Sequence, residues 1–298
     1  MEKTKHIIKW KMYNNGGICM LNANKVTDIK EISKYGKAKG FLLAKRYKLP
    51  TFSNFFIVES EDEIQELLDT YIDQNDFCMR SDAKIGDVPI GVGGQNGNRK
   101  TIFEYIRKVR QKSNELDSSG VAIIYWNDGD FCPTYEIEGS FYLDYRAQKE
   151  VIIDYIGKGW DGSYLSHGSA CHETYSIPWE DILFLDDNNR RQYRKKVVGQ
   201  REYENLRASR INDLVKKGVP REIVESSIPY KYNEINNEYF RQIINQVIIP
   251  MYDSKDLQRY YKEYIPIVQI ECGKVIVPEV ILPERLKYRE MSEMNEER

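Results

Sequence analysis

From Gly120 to Gly157 the sequence lays down three strand-like runs in succession, GVAIIYW, TYEIEGSFYLDY and EVIIDYIG, joined by polar or Gly-containing turns. A helical pattern precedes them. SEDEIQELLDTYI opens on Ser60 with Glu63 three residues later, a capping-box-like start, and brings Ile64, Leu67, Leu68 and Tyr71 to one face. TIFEYIRKVRQKSNEL does the same with Ile102, Tyr105, Ile106 and Val109. From about 188 to 253 the chain turns helical and strongly charged, and IPIVQIECGKVIVPEVIL then reads as a closing hairpin that turns at Cys272-Gly273. The pattern is that of an α+β chain with a helical insertion before its last strands.

Shorter elements fill in the start. HIIKWKMY is expected as a strand with NNGG as a turn leading into ICML, and TFSNFFIV and DFCMRS as further strands. DIKEISKYGKAKGFLLAKRYK suits two helical pieces broken around Gly36 and Gly40, with Leu49-Pro50 ending the second. The acidic tail after Pro283 is expected to fray.

With 298 residues, 41% hydrophobic and 30% charged, the chain can bury a sizeable core. Its net charge of −2 supplies no global attraction to nucleic acid or to an anionic membrane, so any basic site is local. Short runs such as RRQYRKK and the 22 tyrosines are the features that would suit RNA, and charge runs on helices are usually solvated faces. No leader-like apolar core and no 18-residue apolar run occurs, which gives the expectation of a cytoplasmic protein. The five cysteines are scattered and never form CxxC, as expected for reduced structural thiols.

The chemistry concentrates in RSDAKIGDVPIGVGGQNGNRKT, residues 80–101. A Walker loop requires glycine before Lys100-Thr101, and Arg99 stands there. Gly91, Gly93 and Gly94 have the wrong spacing for a dinucleotide fingerprint. Two readings remain. In one, glycines let backbone amides close on an anion while Arg80, at a strand end, supplies a bidentate charge. In the other, the segment is a surface connection with Arg80 paired to Asp82 or Asp87.

Three stretches in order resemble the nucleotide-binding domain shared by phosphoenolpyruvate synthase, pyruvate phosphate dikinase, glucan water dikinase and rifampin phosphotransferase. The loop is similar to that family's RSSAxxEDxPxxSFAGQ, with Arg80, Ser81, Ala83, Asp87 and Pro89 in register and Gly93 or Gly94 with Gln95 meeting the closing GQ one residue early. Upstream, Gly36-Lys37 stands in place of GGK, thirteen residues before Pro50. Downstream, Gly157, Gly159 and Gly168 match the glycines of a strand and turn. Together these cover roughly residues 30–175.

The resemblance implies an ATP-grasp fold in which two α+β lobes sandwich ATP. It implies that Lys37 contacts the nucleotide phosphates, that Arg80 binds the transferring phosphoryl group, and that Ser81, Gly93, Gly94 and Gln95 belong to a lid over the β- and γ-phosphates. Phosphoryl transfer depends mainly on positioning and cationic neutralisation, and a Lys, an Arg and a glycine-rich lid are parts of that kind. The lobes would be 1–115 and 116–187, followed by the insertion at 188–253 and the hairpin and tail at 254–298. Mg²⁺ would be held by Glu279 and Glu271, carboxylates on two antiparallel strands.

The chain departs from the family in two places. Where the closing QSRP-like segment carries an arginine, Ile281 stands here. No separate swivelling phosphohistidine domain fits in the chain, although LSHGSACHE around His167 and His172 echoes its motif. The expectation is therefore an ATP-dependent phosphotransferase acting on an unidentified acceptor, with a separate phosphohistidine-carrying protein as a candidate partner. An ATP-grasp ligase, or a nucleotide-sensing or interaction protein without turnover, are the alternatives.

Overall fold

The computed structural model describes residues 21–22, 29–72, 76–127, 136–144, 150–160, 162–166, 168–186, 189–253 and 265–282. The expected strand HIIKWKMY, the NNGG turn, His167 and the tail after Pro283 lie outside them.

The first part of the chain runs β1 (Leu21–Asn22), α1 (Ile29–Ile32), α2 (Gly36–Arg46), β2 (Asn54–Val58), α3 (Glu61–Thr70), β3 (Phe77–Ala83), β4 (Gln95–Gly97), α4 (Ile102–Glu115) and β5 (Gly120–Trp126). Its strands form an antiparallel sheet in the order β1-β2-β5-β3-β4. The residues after 116 thus first complete this sheet before the chain enters the second. Period-two alternation gives the sheet two apolar faces. On one, Phe56, Met79 and Ile124 pack against Ile64 and Leu67 of α3 and Tyr105 and Ile106 of α4. On the other, Phe55, Ile123 and Tyr125 pack against Ala38 and Phe41 of α2, with Phe41 and Phe55 stacked at 4.0 Å.

The start of α3 follows the capping pattern: Ser60 Oγ accepts from the Glu63 N–H at 3.2 Å, and the Glu63 carboxylate accepts from the Glu59 N–H at 2.5 Å. The helix before it corrects an expectation. Instead of breaking at Gly40, α2 runs unbroken from Gly36 to Arg46, and the interruption falls at residues 33–35, where Tyr35 bridges Lys84. Gly40 is required for contact: a Cβ there would stand 2.2 Å from the Val280 carbonyl oxygen.

The second sheet is built from β6 (Gly139–Asp144), β7 (Glu150–Gly157), β8 (Glu173–Pro178), β9 (Arg194–Val197), β10 (Ile265–Glu271) and β11 (Lys274–Ile281), antiparallel in the order β11-β10-β6-β7-β8-β9. The closing hairpin turns at Cys272 and Gly273, both with positive φ (49° and 74°). A short helix, α5 (Gly162–Ser166), follows β7. The insertion comprises α6 (Gln200–Lys216), α7 (Arg221–Ser227), α8 (Asn237–Ile243), a wide π turn at Ile244–Ile248, and α9 (Ile249–Asp253). Its Phe240, Ile243, Val247 and Ile248 bury the side of the sheet that carries Phe141, Ile153, Tyr175 and Val268. The result is an α+β architecture with two antiparallel sheets, α2 lying between β3 of one and β11 of the other. Among the described residues no helix is long and apolar enough to cross a membrane.

Candidate functional site

Along β3, Phe77, Met79 and Ser81 alternate with Cys78, Arg80 and Asp82, and the second set shares a face with Tyr125, Ile123 and Val121 of β5. That face looks toward the closing hairpin. Arg80 Nη1 lies 3.0 Å from Glu279 Oε2 of β11, with Arg80 26% and Glu279 8% exposed. The guanidinium also sits 5.8 Å from the centre of the Tyr125 ring. Asp82 and Asp87, the local partners that a surface connection would use, have other work. Asp82 Oδ2 accepts from the N–H groups of Lys37 at 2.7 Å and Ala38 at 3.1 Å, so a fully buried carboxylate closes the N-terminus of α2. Asp87 Oδ2 accepts from the Ser119 N–H at 3.0 Å and holds the loop, as expected of a loop-shaping residue.

A second carboxylate enters from β10. Gln269 and Glu271 lie two apart on that strand, past a bulge next to Ile267, which itself pairs with Glu279. With its amide turned to satisfy both ends, Gln269 donates to Glu271 Oε1 at 2.9 Å and accepts from the Gly162 N–H at 3.3 Å. Burial pushes the Glu271 carboxyl up to about 7, and the Arg80 charge pulls in the opposite direction. Burial likewise pushes the Cys78 thiol up to about 12, reinforced by Glu271 and opposed by Arg80. Tyr125 is raised well above its ordinary value by burial, again against Arg80. Burial thus dominates the electrostatics of Glu271, Cys78 and Tyr125, and the Arg80 charge opposes it at each of the three.

Lys37 reaches the same strand from above: its Nζ donates to the Ser81 carbonyl oxygen at 2.7 Å, one residue from Arg80. The loop is tied down around these groups. Ser81 Oγ lies 2.8 Å from the Ile90 carbonyl and 2.7 Å from that of Val92, Ser118 Oγ donates to Val88 O at 2.8 Å, and the Tyr105 hydroxyl donates to Gly93 O at 3.2 Å. Gly94 passes over Arg80, where a Cβ would stand 3.3 Å from Arg80 Cγ, whereas Gly93 faces open space. Gln95 begins β4 opposite Met79 and is exposed.

The fold thus brings together Lys37, Arg80, Gly94, Glu271 and Glu279; Ser81 joins them only through its backbone carbonyl, its hydroxyl facing the loop on the other side of the strand, and Gly93 and Gln95 stand at the loop's outer margin. Sequence reasoning did not assign Tyr125, Cys78 or Gln269 to the site, and it considered Asp82 only as a partner of Arg80. Asp82 lay inside the quoted motif, but nothing local marks it as the cap of a helix that begins 46 residues earlier. Among the described residues, no group of three His, Cys, Asp or Glu side chains could hold a metal ion. Glu271 and Glu279 both act on the Arg80 charge and are hard-oxygen ligands of the kind that suits Mg²⁺ when a bound ligand supplies further oxygens, whereas the Gln269 amide oxygen is taken by the Gly162 N–H. The echo of a swivelling phosphohistidine does not hold at His172, which is 1% exposed.

The sequence matches no protein-family model and no curated protein sequence. Among solved structures, D-alanine–D-alanine ligase from Helicobacter pylori aligns over 86% of this chain at 9% identity and a TM-score of 0.38; this chain spans 56% of the ligase. The dinucleotide forming acetyl-coenzyme A synthetase 1 of Ca. Korarchaeum cryptofilum, in complex with coenzyme A, Ca-AMPCP and HgCl⁺, aligns over 86% of this chain and 97% of its own at 10% identity and a TM-score of 0.43. The same synthetase with coenzyme A, acetyl-coenzyme A and a phosphorylated phosphohistidine segment aligns at 12% identity, over 87% and 98% of the two chains, with a TM-score of 0.39. Likenesses this weak leave the chemistry of this chain to rest on its own side chains.

Proposed function

We propose that the protein binds ATP in the cleft between its two sheets, as an ATP-grasp-type phosphotransferase related in plan to the phosphoenolpyruvate synthase nucleotide domain. The observation that carries this reading is the meeting of Arg80 from β3 with Glu279 from β11, a cation from one sheet held at 3.0 Å by a carboxylate of the other. A triphosphate entering the cleft offers Arg80 a more highly charged, bidentate partner than Glu279 does. Lys37, hydrogen-bonded beside Arg80, takes a second phosphate oxygen, and the amides around Gly93 and Gly94 close over the chain of phosphates. Ser81 acts indirectly by fixing the loop's carbonyls, and Gln95 borders the entrance.

Release of Glu279 from Arg80 frees a carboxylate, and Glu279, opposite Ile267 on the hairpin, and Glu271, opposite Lys274, are our candidates for holding Mg²⁺. When bound, Mg²⁺ neutralises charge on the transferring group. The acceptor is unidentified; the insertion and a separate phosphohistidine-carrying chain are where it would be sought. A second reading, nucleotide binding without turnover, is favoured by one observation. Ile281, which stands where the family carries an arginine, is fully buried, and its hydrocarbon side chain has no charge with which to take the arginine's part. ATP consumption in the presence of Mg²⁺, measured on the wild type and on Arg80→Ala, separates the two. Turnover that depends on Arg80 supports the transferase, whereas binding without turnover supports the sensor.

A further inference from the structure

Four residues of the α6 segment, Leu206, Ser209, Asp213 and Lys217, recur at intervals of three and four and so share one stripe of the helix. Together with Trp160, which follows β7, and Tyr164 of α5, they line a hollow of about 330 Å³. Trp160, Tyr164 and Leu206 belong to one apolar cluster. Trp160 is 1% exposed, whereas Ser209 and Lys217 are exposed, so the hollow passes from the core to solvent. Tyr164 is fixed in it by several contacts. Its hydroxyl donates to Asp213 Oδ2 at 2.8 Å and accepts from Arg210 Nη1 at 3.1 Å. The Arg210 guanidinium lies 4.9 Å from its ring centre, and Trp160 meets it edge-on at 5.1 Å. Burial pushes the phenol up to about 12, so the hydroxyl keeps its proton and its bond to Asp213.

Asp213 and Lys217 stand one turn apart with the acid N-terminal to the base, the arrangement that ordinarily closes into an ion pair. Glu104 and Lys108 of α4, arranged in the same way, do pair, at 2.7 Å. Asp213 and Lys217 do not. Among the described residues, Asp213 Oδ1, Lys217 Nζ and Ser209 Oγ have no hydrogen-bond or ion-pair partner. One stripe of α6 therefore offers a carboxylate oxygen, an ammonium and a hydroxyl beside apolar surface.

A ligand with a single charge would meet one of the two opposite charges and leave the other. A molecule that carries an ammonium and a carboxylate close together, with an apolar remainder, meets both. We infer that this hollow binds a free α-amino acid with an apolar side chain. Its ammonium lies on Asp213 Oδ1, its carboxylate on Lys217 and Ser209, and its side chain against Trp160, Tyr164 and Leu206. The volume falls at the small end of ligand sites, which run to about 300–1,000 Å³. Among the described residues none that lines the hollow belongs to β3, β10 or β11, so the site stands apart from the Arg80–Glu279 pair and does not depend on the ATP assignment.

The test is calorimetric titration of the full chain, into the millimolar range, with L-leucine and L-phenylalanine. The matching molecules that lack one charge are titrated alongside: isopentylamine and isocaproate for leucine, phenethylamine and hydrocinnamate for phenylalanine. We expect at least one of the amino acids to bind saturably at one site per chain, and its amine and acid counterparts roughly tenfold more weakly or not at all. Asp213→Asn and Lys217→Met should each weaken the amino acid roughly tenfold, while Lys216→Met, which removes a neighbouring charge off the stripe, leaves it unchanged. Absence of saturable heat from both amino acids overturns the inference. It is overturned equally by an amine or acid that binds as tightly as its amino acid, or by Lys217→Met binding like the wild type. Should Asp213→Asn not fold, Lys217→Met and Lys216→Met, both at exposed side chains, decide the matter.

Discussion

Arg80 and Glu279 lie 199 residues apart in the chain, yet their ion pair is the contact on which the proposed site turns. Removing the guanidinium leaves a carboxylate that is 8% exposed without its cation. Because Arg80 itself is partly exposed, we expect Arg80→Ala to cost roughly 1–3 kcal/mol in urea unfolding, below the full cost of breaking a deeply buried pair. Arg80→Lys should fold better but still bind ATP weakly, since it keeps the charge and loses the fork. Glu271 makes a prediction in pH. A carboxyl whose folded-state pKa is raised favours folding while protonated; that contribution is full below about pH 4.5 and lost as pH rises through about 7. Relative to Glu271→Gln, the wild type should therefore lose on the order of 1–3 kcal/mol between pH 5 and pH 8. Parallel unfolding midpoints for the two proteins across that range would remove the assignment. At this scale the sequence was partly legible. Arg80, Lys37 and the two glutamates were named from motif register, but Cys78, Tyr125 and Gln269 join them only because distant strands pack together, and no local pattern encodes that.

Elements whose signals are local were read correctly. The capping residues of α3, the buried face of α4 and the closing hairpin each rest on neighbours within a few positions, and each is present. Cys272 occupies a left-handed conformation that costs an ordinary side chain roughly 1 kcal/mol and suits asparagine. Cys272→Asn should accordingly raise the melting temperature by about 2–4 °C. Gly40 shows the opposite case. Read by propensity it breaks a helix, whereas in the structure it lets the helix approach β11. Gly40→Ala improves helix propensity by about 1 kcal/mol and still should destabilise, because its methyl meets a backbone carbonyl at 2.2 Å that cannot swing aside. We expect a net loss of about 1–3 kcal/mol in chemical denaturation; a gain would mean that α2 and β11 are not in this contact.

At the scale of the whole molecule, α+β character was legible because strand and helix patterns are segregated along the chain, and the pairing of β5 between β2 and β3 was not, because sheet order depends on long-range contacts. Two sheets are joined by α2 and by the Arg80–Glu279 pair, and it is beside that pair that we assign ATP. A ligand that binds only the folded state stabilises it by about 2.7 kcal/mol at a hundredfold excess over its Kd, so Mg²⁺ and ATP together should protect the wild type against heat far more than Arg80→Ala. The most direct measurement is a crystal structure of the full chain with Mg²⁺ and a non-hydrolysable ATP analogue. The account predicts analogue phosphates on Arg80 and Lys37 beneath Gly93 and Gly94, with Glu279 withdrawn from Arg80 and facing the metal beside Glu271. A nucleotide seated away from Lys37 and Arg80, with the Arg80–Glu279 pair intact, would contradict it.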